Sequence, residues 1–175
     1  ENVSYIIVGD NPGKEEAAKG QYLIGPAGRI CRTFFAEHNL TDNFKSEVII
    51  LNKMPIHTPR TNNLRKYQKR YQELFIESQQ YMAELVFKIH QLWPDSHLWI
   101  IGHSQLDQLF APFTKRIKSQ YQSSLLRDKL FIYSHFSMNV FTTQFKLANY
   151  MSEEENVNAV LEKLGRYKRA SIMGW

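Results

Sequence analysis

Residues 3–13 read Val-Ser-Tyr-Ile-Ile-Val-Gly-Asp-Asn-Pro-Gly, and this stretch decides the fold. An almost unbroken apolar run with β-branched residues, cut off by Gly9-Asp10-Asn11-Pro12-Gly13, predicts a buried strand that ends in a turn. Working outward, residues 14–19 are polar and helix-compatible, and residues 20–28 form a second glycine-punctuated stretch. Ile30, Phe34 and Phe35 fall at helical spacing and predict a helix over 27–38. A second buried strand is expected at 48–51, running into a loop at 52–63 with two prolines. The longest periodic segment, 64–92, carries Leu74, Tyr81, Leu85, Ile89 and Leu92 at helical intervals before Pro94 stops it. Residues 97–101 give a third strand closed by Gly102, 104–110 a helix, 130–133 a fourth strand, and 153–167 a charged amphipathic helix. Strands alternating with helices indicate parallel connections and a layered α/β sandwich. With no internal repeat and no low-complexity linker, residues 1–175 read as a single domain.

The length of 175 residues allows one substantial core and little more. At 43% hydrophobic and 22% charged residues, the composition excludes wholesale disorder and collagen-like repeats. Cys31 is the lone cysteine, which forbids an intramolecular disulfide and any four-thiolate zinc or iron-sulfur site; the cytosol is the expected compartment. No run approaches the ~20 apolar residues of a membrane span, and Glu1-Asn2-Val3-Ser4 lacks the order of a secretory signal, so a soluble, cytoplasmic protein is expected. The net charge of +5 suits an anionic partner. Lys53, Arg60, Arg65, Lys66, Lys69 and Arg70 stand together with no acidic residue among them, and Lys115, Arg116 and Lys118 form a second group. Such clusters fit phosphate contacts, and equally a solvated helix face.

In open parallel sheets, ligands bind beyond the carboxyl ends of the strands. Three expected strand ends carry distinctive polar residues: Asp10 with Asn11, Asn52, and His135 with Ser137. Gly9 and Gly13 let backbone approach a ligand, Pro12 stiffens the turn, and the Asn11 carbonyl or the Asp10 carboxylate can orient a water. Asp-Asn-Pro-Gly also makes a plain turn. Asn52 offers a donor and an acceptor, the pairing that reads the edge of a base. His135 can donate a hydrogen bond to a developing anion while neutral. The six histidines show no metal-ligand spacing, and no phosphate-binding Gly-x-x-x-x-Gly-Lys-Ser run is present.

Taken together, Gly9-Asp10-Asn11-Pro12-Gly13, Glu16 and Gly20-Gln21-Tyr22-Leu23-Ile24-Gly25-Pro26-Ala27-Gly28 resemble the first motif of the uracil-DNA glycosylase superfamily. The likeness is closest to the thermostable iron-sulfur branch, and Asn11 stands where the mismatch-specific branch has its Asn. Leu51-Asn52-Lys53 with Pro59-Arg60-Thr61-Asn62 is similar to the family's Thr-Asn segment and basic loop. Trp99-Ile100-Ile101-Gly102 and His135-Phe136-Ser137 resemble the third strand and the His-Pro-Ser motif.

The resemblance implies a three-layer α/β/α sandwich around a central, mainly parallel four-stranded sheet. It also implies an enzyme of DNA repair that flips a nucleotide and hydrolyses the bond between uracil, or a related base, and deoxyribose. Asn11 or Asp10 would orient the water, Asn52 would pair with the base, and His135 would stabilise the departing anion. Gly9, Pro12, Gly13, Tyr22 and Leu23 would shape the base pocket. Lys53, Arg60 and Ser137 would meet DNA phosphates, and Met138 would be the apolar wedge. Leu23 replaces the family's stacking aromatic, Phe136 replaces the proline of the second motif, and the four cluster cysteines are missing. No cofactor and no iron-sulfur cluster are expected, and a monomer is. Two further readings stay open: a non-catalytic nucleic-acid-binding protein on the same fold, and a hydrolase or binding protein for a compact nucleoside-like molecule.

Overall fold

The computed structural model describes residues 2–152 and 156–175. Residues 153–155, where the charged C-terminal helix is expected to begin, and the Met138 side chain lie outside the described residues.

Four short strands form the centre: β1 (Tyr5–Gly9), β2 (Val48–Asn52), β3 (His97–Ile101) and β4 (Leu130–Tyr133). All three ladders are parallel, in the order β2-β1-β3-β4. Every β1 residue is buried, as the apolar run requires of a strand covered on both faces. Alternate side chains then divide the core. Ile6, Val8, Leu98, Ile100, Leu130 and Ile132 pack to one face, and Tyr5, Ile7, Trp99, Ile101, Phe131 and Tyr133 to the other.

The helices follow from this division. On the first face lie α5 (Gln72–Leu92), through Met82 and Val86, and α6 (Ala111–Tyr121), through Phe113 and Ile117. The other face is covered by α2 (Pro26–Glu37), α7 (Val140–Tyr150) and α8 (Val157–Met173), which contribute Phe34, Phe35, Phe141, Phe145, Val160 and Leu161. The result is an α/β/α sandwich of three layers. Short helices α1 (Lys14–Lys19), α3 (Phe44–Glu47) and α4 (Leu64–Arg70) complete the connections. Helix α8 packs closely on β4 because residue 165 is glycine: a Cβ there would stand 2.7 Å from Phe131 and Tyr133. The Tyr133 hydroxyl donates to Leu161 O at 2.8 Å across the same contact. Among the described residues, no helix is long and apolar enough to cross a membrane.

Three expected helices are corrected. The periodic segment at 64–92 breaks at Tyr71, whose φ of −135° and ψ of 55° separate α4 from α5. The stretch 104–110 is a short 3-10 turn and irregular turns, and the helix starts only at Ala111. Pro112 explains the shift: its ring is tolerated in a first turn and bars a helix from arriving from upstream. The last helix, Val157–Met173, runs past the expected end at 167 and is capped by Asn156, whose side chain accepts from the Asn158 N–H at 2.8 Å.

After β1 the chain first adds β2 on one side, then crosses to place β3 on the other. The crevice between the carboxyl ends of β1 and β3 is therefore the topological switch point, where such sheets hold ligands.

Candidate active site

A cavity of about 740 Å³ opens at that switch point. Each strand end supplies part of its wall: Asn52 from β2, Asp10 and Asn11 from β1, His103 from β3 and His135 from β4. Gly9, Gly13, Leu23 and Ser137 line it as well. Pro12, buried, and Tyr22, half-buried, are not part of the lining, contrary to the expectation that they shape the pocket wall.

Behind the wall lies an ion pair. Lys53 Nζ sits 2.5 Å from Asp10 Oδ1 and 2.5 Å from the carbonyl of Ile101, with the Phe110 ring 5.1 Å away. Backbone bonds from Lys53 N to Gly9 O at 2.9 Å and from Met54 N to Asp10 O at 3.1 Å join the two strand-end loops. Lys53 is 0% exposed, which corrects the expectation that it meets DNA phosphates: its ammonium is spent on Asp10 and the sheet. Burial pushes the lysine pKa down, against the pull of Asp10. Gly102, at φ 87°, completes the fit, since a Cβ there would lie 2.5 Å from the Asp10 carboxylate.

Asn11 is oriented by its amide nitrogen, which donates to Thr58 Oγ1 at 3.1 Å and to Ile56 O at 3.3 Å. His57 Nδ1 meets the Pro12 carbonyl at 2.8 Å, so the 56–58 segment is tied to the first loop twice. The Asn11 carbonyl oxygen accepts no hydrogen bond among the described residues. Asn52, 6% exposed, lines the cavity, and its side chain makes no hydrogen bond among the described residues. An amide open to the cavity and free of protein partners has both its donor and its acceptor available to a ligand. Gly9 makes room for it, since a Cβ there would stand 2.8 Å from Asn52 Oδ1.

The protonation of His135 is settled by its neighbours. The Ser137 backbone N–H donates to Nδ1 at 3.1 Å, and the Ser137 hydroxyl lies 2.9 Å from the same nitrogen. A nitrogen that accepts an N–H carries no proton, so neutral His135 holds its proton on Nε2. Burial lowers its pKa below the ordinary histidine value, with Asp10 acting to raise it and Lys53 to lower it.

The first-motif loop owes its shape to Glu16. Its carboxylate accepts from the Gly13 N–H through one oxygen and from the Ile24 N–H at 3.1 Å through the other. Leu23 lies buried on the cavity wall in the left-handed region, at φ 52°. Its carbonyl accepts from Arg32 Nη1 at 2.5 Å and passes so near Gly28 that a Cβ there would be 1.7 Å from it.

His103 is a cavity residue that the sequence reading missed. Its Nδ1 lies 3.3 Å from Ser134 Oγ, and that hydroxyl donates to Gln144 Oε1 at 2.6 Å. At the rim, Pro59 and Thr61 line the cavity on either side of exposed Arg60. The second basic group stands elsewhere, on α6, where Arg116 pairs with Glu84 at 2.9 Å. Among the described residues, no cluster of three or more His, Cys, Asp or Glu side chains is placed to hold a metal ion.

Compared with curated proteins, the chain finds no match. The family model of the uracil DNA glycosylase superfamily matches residues 1–151, a span that includes all four strand ends and the whole cavity wall. The chain belongs to the uracil DNA glycosylase superfamily.

Proposed function

We propose that this protein is a DNA glycosylase that hydrolyses the N-glycosidic bond of uracil or a related damaged base. The observation that carries the reading is the pair Asn52 and His135: an amide without protein partners and a fixed Nε2–H donor on the wall of one cavity. An extruded base offers what each lacks, a donor-acceptor edge for Asn52 and a carbonyl oxygen for His135. As the C1′–N bond lengthens, charge grows on the base, and a neutral imidazole donor on the cavity wall stabilises it without giving up its proton. The Asn11 carbonyl, its amide nitrogen held by Thr58 and Ile56, orients the attacking water. Asp10, paired with Lys53, is the carboxylate placed to face the electron-poor sugar.

Leu23 covers one face of the base as an apolar surface, where an aromatic would add a stacking contribution of about 1–3 kcal/mol. Arg60 is the rim cation for the DNA backbone. The unit is residues 1–175 as one domain, a reading supported by the packing of α8, beyond the matched span, on β4.

Incubation with a uracil-containing oligonucleotide followed by alkaline cleavage tests the reading. A strand break made by the wild type and lost in Asn11→Ala and His135→Ala supports it. A wild type that binds DNA and releases no base from any lesion offered defeats it in favour of a binding protein.

A further inference from the structure

Hydrolysis leaves a proton to be placed, since the attacking water must lose one. An amide such as Asn11 can orient a water but cannot take its proton. The carboxylates on the cavity wall are already engaged. Both Glu16 oxygens accept backbone N–H groups, Asp10 is ion-paired with Lys53 through Oδ1, and exposed Glu15 faces Arg29 at 3.9 Å. His135 presents a donor, its Nδ1 being occupied by Ser137.

His103 differs from all of these. Ser134 has one hydroxyl proton and gives it to Gln144 Oε1 at 2.6 Å, so toward His103 it can only accept. The 3.3 Å contact is therefore Nδ1–H donating to Ser134 Oγ, and neutral His103 carries an unprotonated Nε2. That nitrogen has no partner among the described residues, and the ring lines the cavity. Its position is central: it follows Gly102 at the end of β3, and the Gly102 backbone abuts the Asp10 carboxylate of β1. His103 thus stands at the switch point, on the wall of the same cavity as Asp10 and Asn11.

We propose that His103 is a catalytic residue of this site, the base that takes the proton of the water attacking C1′; the assignment rests on the glycosylase reading above. In the step, a water O–H bond breaks and its proton goes to His103 Nε2. The water oxygen bonds to C1′, and the C1′–N bond breaks with its electron pair leaving on the base. No oxidant, reductant or metal enters the balance. Burial, with Lys168 of α8 and Lys53 behind β2, keeps the imidazole in its basic form at neutral pH, and the Asp10 carboxylate lies against Gly102, the residue before it. Ser134 and Gln144 hold the tautomer.

Single-turnover base release from a uracil-containing oligonucleotide, followed from about pH 5 to 8, tests this with His103→Ala and His103→Gln. General bases contribute on the order of 100- to 10,000-fold. Both variants are expected to fall at least about 100-fold in rate, with thermal midpoint and oligonucleotide affinity unchanged, and to lose the acid limb of the wild-type profile. Added imidazole is expected to restore His103→Ala, whose vacated space admits it, and not His103→Gln. A variant rate equal to wild type overturns the assignment, and so does a loss that is uniform with pH and unmoved by imidazole. Wild-type base release with a fully active His103→Ala removes His103 alone; a wild type that releases no base removes the glycosylase reading and this assignment together.

Discussion

Lys53 and Asp10 meet behind the ends of β1 and β2 with Nζ 2.5 Å from Oδ1, the lysine wholly enclosed and the carboxylate reaching the cavity wall. An ammonium taken out of water is tolerable only while its partner and the Ile101 carbonyl hold it. Removing either member strands a charge. Lys53→Met and Asp10→Asn are each expected to cost about 3–5 kcal/mol in urea unfolding, and the double variant less than the sum. A loss below about 1 kcal/mol in Lys53→Met would show that the pair does not hold the strand ends.

His135→Ala removes one preorganised donor from the proposed anion site. The single-turnover rate is expected to drop about 100- to 1,000-fold while affinity for the uncleaved oligonucleotide changes little. An equal loss in binding and rate would mean that His135 serves ground-state contact only.

His90 makes the fold acid-sensitive. Its Nε2–H donates to Ser96 O at 3.0 Å and its Nδ1 faces the Tyr121 hydroxyl at 2.9 Å, with the residue 0% exposed. Burial pushes its pKa down to about 4, against 6.5 in the unfolded chain. The unfolded state therefore binds a proton that the folded state refuses. Stability is full above about pH 6.5 and declines toward pH 4, by on the order of 3 kcal/mol from this group. His97, His103 and His135 are shifted the same way and add to the loss. Urea midpoints at neutral and acid pH should show a smaller acid penalty in His90→Gln; identical penalties would clear His90.

Gly28→Ala tests the close approach of the first-motif loop to α2. The new methyl would meet backbone, the Leu23 carbonyl, which cannot swing aside as a side chain would. A destabilisation of about 1–3 kcal/mol or more is expected, with weakened ligand binding because Leu23 moves with its carbonyl. Unchanged thermal stability would contradict the contact.

Arg60→Ala should weaken DNA binding about equally across sequences and reduce the slope of log affinity against log salt by about one. An unaltered slope would take Arg60 off the DNA backbone.

What the sequence disclosed was what local pattern controls. The four strands are short apolar runs rich in β-branched residues, and each lies within a residue or two of its expected bounds, because burial on both faces leaves an uninterrupted signature. Helix limits were less legible. Leu106, Leu109 and Phe110 repeat at helical spacing and are all buried, yet they pack from turns, since Pro112 sets where α6 can begin. The break at Tyr71 involves no glycine or proline and left no mark. At the site, Lys53 sits in a run of basic residues and reads as one of them; its burial depends on Asp10, 43 positions earlier. His103 stayed hidden for the same reason. Its proton is placed by Ser134, 31 positions later and on another strand end, and only folding brings the two together.

The Glu16 carboxylate carries a mechanical corollary. Because it grips the Gly13 and Ile24 amides at once, the glycine-rich bend and the span bearing Leu23 travel as one braced panel. A guest cannot slip inside by spreading them. The 56–58 segment, fastened to the same bend through Thr58 and His57, is carried with that panel, so three stretches of chain far apart in sequence form one stiff side of the chamber.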